Sequence, residues 1–245
     1  MPRTFDQAWD VVADVEGWMT RSQGEALYEA ARNCPHGGRI VEIGSYRGKS
    51  TIVLASNAPE GAAVTAIDPH AGNDRGPEEI SGYADAAEDD HAMFLANLAH
   101  TGVSERVTHL RMFSDAALGE VDGPVDVLYV DGAHRYSPAR ADIHDWGRRV
   151  APGGAMLIHD SFSSVGVTLA ILRELAFGRR FRYVGRSRSL TIYRADLHAG
   201  RLSNAGRQLA QLPWFVKNLA VKVALKLGLG TVLRRLGRQV PDWPY

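Results

Sequence analysis

The stretch Arg39-Ile-Val-Glu-Ile-Gly-Ser-Tyr-Arg-Gly-Lys-Ser-Thr51 constrains the fold most, because it reads as a buried strand entering a tight turn that opens a helix. Ile40, Val41 and Ile43 form the apolar run expected of a strand covered on both faces. Gly44 and Gly48 allow a sharp turn and close backbone approach, and Ser50-Thr51 begins a helix whose first N–H groups face that turn. Two phosphate-binding patterns are excluded. The fingerprint G-x-G-x-x-G needs glycine at position 46, where tyrosine stands, and a Walker A loop needs four residues between its glycines, where this chain has three. An ordinary βα turn with two structural glycines is the plainer alternative.

Beyond this unit, strands alternate with helices. Strands are expected at 39–44, 64–68, 107–112, 125–131, 155–160, 181–186 and 190–194. Helices are expected over much of 5–34, then at 49–58, 88–101, 137–150 and 163–177. Pro152-Gly153-Gly154 punctuates the entry to the fifth strand, and Arg188-Ser189 suits a short hairpin that makes the last strand antiparallel. The pattern predicts an α/β fold: a doubly wound, Rossmann-like sheet of seven strands, whose ligands bind beyond the carboxyl ends of the strands. We divide the chain into an N-terminal helical cap (1–36), a catalytic domain (37–196) and a basic helical extension (197–245).

Three acidic residues stand at such strand ends. Val64-Thr-Ala-Ile-Asp68 places a carboxylate 24 residues after Gly44, where it can accept both hydroxyls of a ribose. Val125-Asp-Val-Leu-Tyr-Val-Asp131 delivers Asp131, and Met156-Leu-Ile-His-Asp160 delivers Asp160 from the neighbouring strand. Two converging carboxylates repel each other unless a cation or proton lies between them. Hard oxygen ligands suit magnesium, with His159 leaving manganese open. Glu42 lies inside an apolar strand, where a carboxylate needs a partner.

The motif Glu42-x-Gly44-x-x-x-Gly48 resembles motif I of the class I methyltransferases that bind S-adenosylmethionine. The set Val-Asp131-Gly-Ala-His134-Arg-Tyr, Pro-Gly-Gly and His159-Asp160 resembles the metal-dependent O-methyltransferases of macrolide sugars and other glycosides, the macrocin/mycinamicin type. The resemblance covers roughly residues 15–195. It implies that Glu42, Gly44, Ser45, Gly48, Ser50, Asp68, Ser114, Asp115 and Asp131 bind the cofactor. It implies that Asp131, His159 and Asp160 hold the metal, with His159 in a slot where relatives often place an acidic ligand. His134 matches the general base of the sugar-modifying relatives; His144, beside Asp142 and Asp145, competes for that role. The implied activity is transfer of a methyl group to a sugar hydroxyl, with a phenol or catechol acceptor as alternative. A nicotinamide dehydrogenase and a non-catalytic cofactor-binding module are the readings from other classes.

Composition narrows the partners. Lys+Arg and Asp+Glu both number 28, so no global charge points to nucleic acid. Cys34 is the single cysteine, which rules out an internal disulfide, and no Cys/His spacing suggests zinc. The start, Met-Pro-Arg-Thr-Phe-Asp, lacks an apolar run or cleavage pattern, so a cytoplasmic setting is the expectation. Residues 70–90, rich in glycine and acid, read as a lid. Leu212–Leu227 reads as a basic amphipathic helix that packs within or between subunits, the second implying a homodimer; contact with a membrane surface is the less favoured reading.

Overall fold

In β1 (Arg39–Ile43) and β4 (Val125–Val130) every apolar side chain is buried, the mark of strands sandwiched between helices. The computed structural model describes residues 3–71, 84–196 and 200–227. Its other strands are β2 (Ala63–Ile67), β3 (Val107–Leu110), β5 (Val150–Ile158), β6 (Phe181–Ser187) and β7 (Leu190–Ala195). They form one sheet in the order β3-β2-β1-β4-β5-β7-β6. The pairs β3–β2, β2–β1, β1–β4 and β4–β5 are parallel, while β7 runs antiparallel to both β5 and β6. The hairpin turns at Arg188, which adopts a left-handed φ of 52°, the conformation short hairpins demand. The sheet topology is therefore the one the alternation predicts.

Alternation along β1 and β4 sorts the core into two layers. Ile40, Val127 and Tyr129 face α2 (Arg21–Arg32), α3 (Lys49–Asn57) and α4 (Ala84–Thr101), with Leu27, Leu54 and Phe94 in the same cluster. Val41, Ile43, Leu128 and Val130 face the other way, toward Ile143, Trp146 and the helix α6 (Val165–Ile171). Each fully buried Leu or Ile contributes about 1.5–3 kcal/mol by leaving water. Residues 50–57 of α3 are all buried, so this helix is wrapped on every side.

Several element boundaries differ from the sequence reading, among them α4, which starts at Ala84 within the expected lid, and the expected helix 163–177, which passes from α6 into a π turn at Leu172–Ala176. The expected N-terminal helix breaks into α1 (Phe5–Asp10) and α2. Each starts at a Thr-x-x-Gln box: Thr4 Oγ1 accepts from Gln7 N–H, and Gln23 Oε1 accepts from Thr20 N–H at 2.8 Å. Those boxes are start signals that apolar spacing through Val12 and Val15 concealed. The expected helix 137–150 is α5 (Tyr136–Ala141), widening to a π turn at Asp142–Trp146 and tightening at Gly147–Arg149. β5 starts at Val150 rather than 155, because a register shift opposite Val125 and Val127 absorbs Pro152 and Gly153. After the sheet come α7 (Arg201–Leu209) and α8 (Leu212–Lys226). Most of the expected lid, and the basic residues Arg234, Arg235 and Arg238, lie outside the described residues.

Candidate active site

Parallel pairing carries one residue past the strand ends and brings the candidate side chains into a row. Gly44 N–H donates to Ile67 O at 2.8 Å, Asp68 N–H to Leu110 O at 3.2 Å, Asp131 N–H to Ile43 O at 2.8 Å, and His159 N–H to Val130 O at 2.9 Å. Asp68, Gly44, Asp131 and His159 thus stand side by side along the carboxyl edge. The strand order reverses between β1 and β4, so the row spans the crevice where open α/β sheets bind ligands.

The turn after β1 is built around backbone contact. Gly44 has φ +85°, and a Cβ there would sit 2.4 Å from Asp131 O. Gly153, with φ +79° and nothing within 4 Å of a Cβ, supplies a control for strain alone. Gly44→Ala is expected to cost about 3 kcal/mol or more, against about 1 kcal/mol for Gly153→Ala. Thermal melting of both variants checks this, and equal losses would mean the two backbones do not touch. Asp68 ties the turn down: Oδ2 accepts from Ser45 N–H at 2.9 Å and Tyr46 N–H at 2.8 Å, while Oδ1 accepts from His70 N–H at 2.8 Å. Its first task is therefore to hold the loop, with a lone pair left on Oδ1 alone for a ligand hydroxyl.

Glu42 lies at the bottom of this turn, fully buried. Thr51 Oγ1 donates to its Oε2, whereas Oε1 has no partner, and Ser45 Oγ is buried and likewise unpartnered. Burial pushes the Glu42 carboxyl up to about 8, with Ser50 and Thr51 opposing and Asp131 and Asp68 adding to the rise. Orphaned polar atoms of this kind fit a ligand carrying a cationic amine and hydrogen-bonding groups, as S-adenosylmethionine does.

Next to them, ligand atoms of Asp131, His134 and Asp160 come within 4.8 Å of one another. His134 Nε2 stands 2.8 Å from Asp160 Oδ2. His159 Nδ1 lies 3.2 Å from Asp131 Oδ1 and 3.3 Å from Asp160 Oδ2, yet neither nitrogen of this buried ring makes an aligned hydrogen bond. Burial alone would depress His159, but the flanking carboxylates outweigh it and hold the imidazole well above its ordinary range. Burial likewise opposes ionisation of Asp160, and the charge of His159 with the hydrogen bond from His134 holds that carboxyl well below its ordinary range. Asp160 and Phe162 adopt left-handed φ values of 51° and 55°, a strained loop of the sort found at functional sites. Two carboxylates and convergent imidazoles fit a divalent cation, the charge that the row otherwise borrows from a proton on His159.

Comparison with known proteins agrees with this fold. Residues 41–161 match the family model described as a methyltransferase domain. The chain has the class I methyltransferase fold. The O-methyltransferase NovP superposes with a TM-score of 0.55 at 16% identity, over 72% of this chain and 80% of that one. The O-methyltransferase of Bacillus cereus, solved with SAH, gives 0.54 at 17% over 79% and 90%. TomG of Streptomyces achromogenes, an O-methyltransferase solved with SAM, gives 0.55 at 17% over 78% and 89%. Likeness at these identities establishes the fold. Protein y4gI of Sinorhizobium fredii is 28% identical over 134 residues, which is 50% of this chain and only 13% of that protein.

In this fold the segment after β3 is less simply placed. Phe113 is 62% exposed, Asp115 accepts from Ala116 N–H to cap a short helical turn, and Ser114 donates to the buried Asp142. Burial pushes Asp142 up to about 6. His144 is half-exposed and pairs with its neighbour Asp145 at 2.7 Å, whereas His134 sits among the carboxylates. Sequence reasoning missed Tyr129, whose hydroxyl donates to Asp131 Oδ2 at 2.7 Å. A tyrosine two residues before a strand-end carboxylate, on the same face, was the available signal.

Proposed function

We propose that the chain is an O-methyltransferase that uses S-adenosylmethionine and a divalent cation, magnesium or manganese, to methylate a sugar hydroxyl. The observation that carries this reading is the convergence of Asp131, His134 and Asp160 within 4.8 Å at the sheet's switch point, next to the Glu42 turn. Asp131 and Asp160 would hold the cation, with His159 alongside, which leaves His134 free to act as a base. A cation there would lower the proton affinity of an acceptor hydroxyl, and bound S-adenosylmethionine would supply a methyl group on a neutral leaving group.

The chain's own residues do the rest. Glu42, Ser45 and Asp68 hold the cofactor, Tyr129 fixes the orientation of Asp131, and His134 takes the hydroxyl proton. The Asp160 carboxylate beside His134 Nε2 stabilises the imidazolium formed by that transfer. A sugar hydroxyl is weakly acidic, so a general base is worth about 10²–10⁴-fold to it, and a phenol needs that help less. His134→Ala is accordingly expected to slow methylation of a sugar acceptor by about 10²-fold or more while leaving product affinity nearly unchanged.

Calorimetric titration with S-adenosylhomocysteine, with and without magnesium and EDTA, tests the assignment, with NADH as control. Binding of the homocysteine product, followed by metal-stimulated methylation of glycoside acceptors, is the expected outcome. Binding of NADH instead, or turnover on catechols alone, would overturn the donor or the acceptor respectively.

A further inference from the structure

The chain has no net charge, yet its charge is sharply divided. Residues 197–245 hold eight Lys and Arg against one Asp, whereas residues 1–196 hold 20 against 27. α8 lies in the basic part, and the sequence Leu212–Lys226 contains Lys217, Lys222 and Lys226 with no acidic residue.

One side of α8 is committed to the parent domain. Trp214 and Phe215 pack against the core layer of Leu128 and Ile158, and the Arg186 guanidinium lies 4.0 Å over the Trp214 ring. Asn218 Nδ2 donates to Phe162 O at 3.1 Å, and Lys222 Nζ donates to Ser163 O at 3.0 Å. These contacts fix the helix over the loop that follows Asp160. They also supply the cover that Trp214 and Phe215 need, so packing explains the inner face and nothing more.

The outer face is apolar and bare. Val216 is 61% exposed, Leu219 38%, Val223 50% and Leu227 70%, with exposed Lys217 beside them. Their spacing of three, four and four residues draws one stripe, about 16 Å long at 1.5 Å per residue. Among the described residues no helix is long and apolar enough to cross a membrane. A stripe of aliphatic side chains bordered by cations instead suits a helix lying in the plane of a bilayer surface.

We propose that the outer face of α8 docks on an anionic lipid surface. Aliphatic side chains enter the headgroup region, and the basic segment meets lipid charge at roughly fivefold in affinity per cation. The acidic remainder of the chain is repelled by the same surface, so approach through α8 is the favoured orientation. A symmetric pairing of two α8 stripes is less suited to these residues, because it would bring the basic segments of both copies together.

Sedimentation of the full chain with phosphatidylcholine vesicles, with and without phosphatidylglycerol, tests the dock by binding alone, independently of turnover. Pelleting is expected only with the anionic vesicles and should weaken as salt is raised. Lys217→Ala should lower the partition roughly fivefold, and Val216→Glu with Val223→Glu about tenfold or more, with melting unchanged because these side chains are exposed. Absence of pelleting, or equal pelleting of the double variant, would overturn the proposal. So would a dimer seen by light scattering that the double variant splits, since the stripe would then be a contact between copies.

Discussion

Asp160→Asn is expected to remove metal-stimulated methyl transfer by roughly 10²–10³-fold while leaving S-adenosylhomocysteine affinity within about tenfold of the parent. Asparagine is the informative replacement, because it tolerates the left-handed backbone at this position and keeps the side-chain shape. What it removes is charge. Asp160 is shared between His134 at 2.8 Å and His159 at 3.3 Å, so its loss affects both the proton acceptor and the balance of the row. The cofactor turn is anchored elsewhere, by Asp68 on Ser45 and Tyr46, which is why product binding should survive. Calorimetry for the product and turnover with and without magnesium separate the two effects. Loss of product binding by a variant that still melts cooperatively would sink the assignment of Asp160 to the metal side of the site.

Glu42→Gln is expected to flatten the pH dependence of stability of the ligand-free protein. The Glu42 carboxyl is raised from 4.5 to about 8, so between those values the folded chain holds a proton that the unfolded chain has lost. Stability therefore falls as pH rises through this window, by an amount on the order of 3–5 kcal/mol at most. Glutamine keeps an oxygen for Thr51 and cannot ionise, so the variant should melt higher than the parent near pH 8 and alike near pH 4.5. Melting curves across that range provide the check. Parallel curves would mean that Glu42 is ionised without ligand. A cationic amine beside Glu42 favours its charged form, so product binding near neutral pH should release a proton in the parent and not in Glu42→Gln. Calorimetry in buffers of different ionisation enthalpy measures that release.

Much of the fold was legible because burial on two faces leaves short apolar runs, and because glycines and prolines punctuate them. All seven strands were placed within a few residues, and the antiparallel ending followed from the two-residue gap at Arg188-Ser189. The misplaced boundaries have local causes. The π turn at Asp142–Trp146 has no periodicity to distinguish it from α-helix, and the early start of β5 depends on a register shift against β4.

The candidate site divides in the same way. Glycine spacing and strand-end carboxylates, features of adjacent residues, made Gly44, Asp68, Asp131 and Asp160 candidates from the chain alone, and the family resemblance added His134. Only tertiary structure decides what each side chain meets. It gives Asp68 three backbone N–H groups, turns Ser114 toward Asp142, and joins Tyr129 to Asp131. It pairs His144 with its neighbour Asp145 and brings His134 onto Asp160, a pairing between residues 26 apart in the chain. The physical reason is that strand periodicity and turn chemistry are set by neighbours in sequence, whereas burial, partner geometry and proton affinity depend on groups that meet only after parallel strands align their ends.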